Sequence, residues 1–183
     1  MLCFVNLHVS PELEKKLNWL RAAVLGANDG IVSVAGVVMG VAATGVGRGG
    51  IIVAGVAALV AGAISMAGGE YTSVSAQRDT EVAHGRHASS VTAHPWNAAW
   101  SSLLAFSAGG LLPLITVSTF EAELKIPATV ISVVVALAVT GLWAAMVGGG
   151  SIRKSITRNV VVSILTMSIA YAVGAVLGVT VFA

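Results

Sequence analysis

An aspartate inside an apolar run is the first residue in this chain whose type demands a chemical reason. Asp29 follows Asn28, precedes Gly30, and sits about seven residues, or roughly 10 Å of helix, into an otherwise apolar stretch. An ionisable group near a bilayer centre costs about 2.5–3.5 kcal/mol on insertion scales, so it faces a cavity or a partner. The glycine-rich turn Thr44-Gly-Val-Gly-Arg-Gly-Gly50 makes the flanking apolar runs an antiparallel hairpin. With the turn centred near Gly47, Asp29 is level with Ser65 and Met66. On the second run Met66, Glu70, Ser73, Gln77 and Glu81 recur at helical spacing, within an arc of about 80° at 100° per residue. One face thus carries a thioether, a carboxylate, a hydroxyl, an amide and a second carboxylate. Asp29, Met66 and Glu70 are the candidate metal ligands, and Gln77, Asp79 and Glu81 a candidate cytoplasmic mouth. Oxygen ligands with one soft sulfur suit a divalent first-row cation such as Fe²⁺ or Mn²⁺ better than Ca²⁺. A carboxylate at this depth can also take up a proton, which competes with metal and offers a route to exchange.

Each residue also has a plainer role. Asp29 can be a satisfied carboxylate between helices, Met66 core filler, and Glu70 a solvated group near the cytoplasmic interface. Asp79 and Glu81 fit a solvated helix end. His84, His87 and His94 invite a metal reading, but Gly85 weakens the helix that would align the first two. Met39, about 80° round the helix from Asp29, reads as packing. The single cysteine, Cys3, excludes an intrachain disulfide framework and a thiolate cluster and is given no role.

The elements that position these residues are membrane spans. Charged residues make up 10% of the chain, against about 25% in a soluble domain. They leave uncharged intervals from Arg48 to Glu70, from Lys125 to Arg153, and from Arg158 onward. Each matches the roughly 20 apolar residues that cross a bilayer. The expected fold is all-α and polytopic, with five transmembrane helices near 22–44, 50–77, 97–118, 127–148 and 158–181. Residues 1–21 read as an interfacial amphipathic helix: Ser10 caps it, Pro11 suits its first position, and Leu13, Leu17, Leu20 and Val24 form its stripe. Its early charges do not fit a cleavable signal peptide. Residues 78–96 read as a short polar connector. Counting basic side chains places Lys15, Lys16, Arg21, Arg78, Arg86, Arg153, Lys154 and Arg158 on one side, against Arg48 and Lys125. The positive-inside rule then puts the N-terminus in the cytoplasm and the C-terminus outside. Few aromatics and no ten-residue alternation argue against an outer-membrane barrel. The small net charge of +2 argues against nucleic acid as a partner.

Gly26 with Gly30, and Gly36 with Gly40, are successive GxxxG pairs on the first helix. They permit either packing within the chain, against the second span, or a homodimer through the first helix that brings two copies of Asp29 to one path. No internal inverted repeat is visible.

Arg21-Ala-Ala-Val-Leu-Gly-Ala-Asn-Asp-Gly-Ile-Val-Ser33 and Ala61-Gly-Ala-Ile-Ser-Met-Ala-Gly-Gly-Glu-Tyr-Thr-Ser-Val-Ser-Ala-Gln-Arg-Asp-Thr-Glu81 resemble the vacuolar iron transporter family, in its bacterial and nodulin-like branches. Pro95-Trp96 leading into the third span fits too, and the resemblance covers all five spans. It implies a five-helix homodimer moving Fe²⁺, and often Mn²⁺, out of the cytoplasm in exchange for protons. The metal is then substrate, with no permanently bound cofactor and no covalent reaction, so an enzyme is not implied. By motif, the aspartate of the Asp-Gly pair is Asp29 and the methionine of the Ser-Met pair is Met66. Three features depart from the family. Ala58 stands where plant vacuolar members have a glutamate, Val34 where they have a proline, and about 15 residues between Glu81 and Trp96 replace a glutamate-rich metal-binding domain. The alternatives are a transport-inactive structural or regulatory subunit, or a proton-coupled exporter of small organic cations. The composition favours a bacterial plasma membrane, or a vacuolar membrane if the source is eukaryotic.

Overall fold

Between Pro11 and Ala43 the chain contains no further proline, and the polar residues there are too sparse to compete for the backbone. The result is one unbroken helix across residues 21 and 22. The computed structural model describes residues 11–85, 94–121 and 123–181, and these form five α-helices and no strand. They are α1 (Pro11–Ala43), α2 (Arg48–Ala83), α3 (Pro95–Thr119), α4 (Lys125–Gly148) and α5 (Ile152–Val181). Each holds a stretch long and apolar enough to cross a bilayer. The all-α polytopic architecture expected from the sequence is the one present.

The helices outrun the apolar windows. The second span was expected to end near residue 77, yet α2 continues to Ala83. Its last turns are held by Gln77 Nε2 donating to Glu81 Oε1 at 3.0 Å and Thr80 Oγ1 donating to the Ala76 carbonyl at 2.8 Å. It stops where Gly85 takes a left-handed φ of +87°, a conformation glycine adopts without a Cβ clash. Much of the expected connector 78–96 is therefore helix, and His87 lies outside the described residues. At the same end of the molecule α4 closes with Gly149 at φ +67°, its N–H on the Ala145 carbonyl.

α1 is the hub. It packs against all four other helices, while α2 meets α1 and α3, and α5 meets α1 and α4. The four outer helices thus curl around α1 in the order α2, α3, α4, α5, with no contact between α2 and α5 among the described residues. In lipid the apolar effect does not drive helices together, so close backbone approach must. A Cβ on Gly26 would lie 2.7 Å from the Ser102 carbonyl oxygen, and one on Gly30 would run into the Phe106 carbonyl oxygen. Gly40 meets Ala170 and Gly174 of α5 in the same way, and Gly36 faces Thr166. The GxxxG pairs therefore serve packing within the chain, against α3 and α5 rather than the expected second span. On the remaining faces Ile31, Val32, Ala35 and Met39 join Val133, Leu137 and Met167, and Val34 and Val38 join Ile51, Phe106 and Leu114. Met39 is core, as its helical position implied.

Candidate cation site

The gap between α2 and α5 leaves part of α1 uncovered, and there the chain's intramembrane carboxylates gather. A cavity of about 410 Å³ is lined by Asp29 and Ser33 of α1, by Ser65, Met66 and Glu70 of α2, and by Phe106 of α3. The hairpin arithmetic that set Asp29 level with Ser65 and Met66 describes this wall. Phe106, 1% exposed, forms the apolar back. Its ring lies where a Cβ on Gly62 would have to go, so that glycine is what admits it.

The two carboxylates are held differently. Ser33 Oγ, one turn along α1, donates to Asp29 Oδ1 at 2.8 Å. Among the described residues Asp29 has no basic partner, and that hydroxyl is its one side-chain contact of this kind. The neighbouring Asn28 Oδ1 is buried with no hydrogen-bond partner among the described residues. Glu70 is 6% exposed and ion-paired: Arg21 Nη2 donates to its Oε2 at 3.1 Å, and Nη1 reaches Oε1 at 3.5 Å. The sequence reading that left Glu70 open to solvent is corrected here, since the carboxylate is enclosed and neutralised by α1. Arg21 is the partner of Glu70 that reading missed. The same arithmetic would have found it, because Arg21 is level with Ser73, about 4.5 Å along the helix from Glu70, within reach of an arginine side chain.

The rest of the expected track leaves the cavity. Gln77 and Glu81 pair with each other on exposed turns, and Asp79 borders a separate recess of about 680 Å³ with Arg78, Tyr71 and Trp96. His84 Nδ1 lies 2.8 Å from the Thr80 carbonyl oxygen, a helix-end contact, and His94 is exposed at the start of α3. Among the described residues no three His, Cys, Asp or Glu side chains form a cluster able to hold a metal by themselves. Any cation held here meets two carboxylates, serine hydroxyls and one thioether.

The face expected to pair two copies is already filled within the chain. The glycine positions of α1 are occupied by α3 and α5, whereas Leu25, Asp29, Ser33 and Val37, at i+4 steps, lie along the uncovered strip. Leu25 is 44% exposed and Val37 37%.

Comparison with known proteins places the chain among relatives of similar length. The VIT family model matches residues 20–91 and 81–175. A protein described as vacuolar iron transporter homolog 3 of Arabidopsis thaliana is 41% identical over 174 residues, covering 91% of this chain and 87% of its own. Vacuolar iron transporter homolog 2 of Oryza sativa subsp. japonica is 42% identical over 171 residues, covering 86% and 90% respectively. A third, vacuolar iron transporter homolog 1 of Arabidopsis thaliana, is 38% identical, covering 91% of this chain and 87% of its own.

Proposed function

The chain belongs to the VIT family, and on that premise we propose that it carries divalent iron across a membrane, with Asp29 and Met66 as the intramembrane site and Glu70 as the first ligand met from the basic end. It is an integral membrane protein of a transport family and not an enzyme. The observation that carries the reading is the single cavity in which Asp29, Met66 and Glu70 line the uncovered strip of α1. Mn²⁺ is the second substrate in this reading, because oxygen donors with one thioether accept both ions. Export from the cytoplasm is coupled to proton uptake, since carboxylates that release a metal can accept protons in its place. The N-terminal turns of α1 lie at the cytoplasmic surface, and a second copy meets this chain along the strip that bears Asp29.

The test is Fe²⁺ and Mn²⁺ uptake into proteoliposomes under an imposed pH gradient, with wild type beside Asp29→Asn. Gradient-dependent flux in the wild type that disappears in the variant is expected. Flux surviving the substitution would remove Asp29 from the path. No flux from folded wild type would favour a transport-inactive subunit, a reading supported by the lack of a three-ligand cluster among the described residues.

A further inference from the structure

Glu70 already has a cation, and that cation belongs to the protein. Its carboxylate lines the cavity and is 6% exposed, whereas Arg21, its partner, is 52% exposed. The pair is therefore asymmetric. Arginine can leave into the water and headgroup layer at modest cost, because half of its side chain is there already. Glu70 cannot leave and cannot stay unpaired, since a buried charge stripped of its partner is strongly destabilised. The contact is also loose on one side, 3.1 Å through Nη2 but 3.5 Å through Nη1, where a tight bidentate fork would run about 2.7–2.9 Å on both.

We propose that Arg21 is a tethered competitor for the cation site: it occupies Glu70 while the cavity is empty and is displaced outward when a divalent cation binds. The inference rests on the transport reading above and adds to it a residue that sets specificity. Loading becomes an exchange of one cation for another on the same carboxylate. A tether keeps the guanidinium at an effective concentration in the millimolar range or above. A monovalent ion carries the same charge as that guanidinium and gains no Coulomb advantage over it. A divalent ion carries twice the charge and wins. Arg21 thereby excludes Na⁺ and K⁺ from a site whose two carboxylates would otherwise attract them.

The test measures equilibrium Mn²⁺ binding to the full chain in detergent, with and without excess Na⁺, for wild type, Arg21→Gln, Arg21→Lys and Glu70→Gln. Removing the competitor should tighten Mn²⁺ about tenfold, the ratio that corresponds to losing a rival contact of about 1.4 kcal/mol. It should also make binding sensitive to Na⁺, which the wild type resists. Arg21→Lys, which keeps the charge and loses the fork, should fall between them, and Glu70→Gln should weaken binding. A second measurement needs no variant. Mn²⁺ should raise the phenylglyoxal reactivity of Arg21, read by mass spectrometry, and leave Arg48 unchanged. Wild-type binding with equal or weaker binding in folded Arg21→Gln, or reactivity of Arg21 unmoved by Mn²⁺, overturns the competitor role and leaves the transport reading intact. Absence of Mn²⁺ binding in folded wild type overturns both.

Discussion

Gly30→Ala and Gly36→Ala add the same methyl group to the same helix, and the structure requires opposite results. At Gly36 the new Cβ would meet only Thr166 Cγ2 at 3.5 Å, an ordinary contact. Alanine there gains about 0.5–1 kcal/mol of helix propensity over glycine. At Gly30 the Cβ would run into the Phe106 carbonyl oxygen, with the Phe106 Cα at 2.9 Å. Those atoms are backbone and cannot rotate away, so α1 and α3 must separate. Overpacking of this kind costs about 1–3 kcal/mol, which exceeds the propensity gain. For a chain of this length about 2–4 °C of melting temperature corresponds to each kcal/mol. Gly36→Ala should therefore melt a few degrees above wild type in a mild detergent, and Gly30→Ala below it. Separation of α1 from α3 also pulls Asp29 away from the Phe106 wall, so Gly30→Ala should lose cation flux even at temperatures where it stays folded. Shifts of the same sign in the two variants would refute the assignment of these glycines to different kinds of contact.

Met66→Leu conserves volume and removes only the sulfur, so stability should change by less than about 1.5 kcal/mol, while Fe²⁺ uptake falls more than Mn²⁺ uptake. An unchanged ratio of the two fluxes would strip the thioether of its role. Leu25→Cys lies on the uncovered strip of α1, and Gly36→Cys lies under α5. Oxidation in membranes should crosslink the first and not the second, and monomers from both would remove the dimer from the strip that bears Asp29.

The fold was legible because membrane spans are written in composition, and the turn at Gly45–Gly50 fixed a register that carried Asp29 onto Met66. The spans alone understated the helices. Apolar windows end where lipid ends, but backbone hydrogen bonding continues until a residue such as Gly85 interrupts it, so α2 extends to Ala83. The Arg21–Glu70 pair was hidden for a different reason. Its partners are 49 residues apart, and a charge near an interface reads as solvated until the neighbouring helix is in place. The partner of a GxxxG pair was hidden too, since the motif states that a helix will be approached closely and not which helix will do so.

The angular positions on α1 explain why the aspartate is where it is. At 100° per residue, Gly26 and Gly30 lie about 60–100° round from Asp29, and they lock onto α3. Ile31, Val32, Ala35 and Met39 lie about 60–160° round in the other direction and fill the core with α4 and α5. What remains is the arc of Leu25, Asp29 and Ser33. A rotation of α1 that buried Asp29 against α3 would drive Phe106 and Ser102 into side chains larger than glycine. The glycines thus hold the carboxylate outward as well as holding the helices together. Further along, Gly36 and Gly40 return to within about 20° of Asp29, and there α5 crosses, its Gly174 pressed on the Gly40 backbone. The strip that is open around Asp29 is therefore closed roughly 16 Å beyond it. Beyond Asp29 the strip of α1 runs into the α1–α5 contact at Gly40 and Gly174 before it reaches the opposite face.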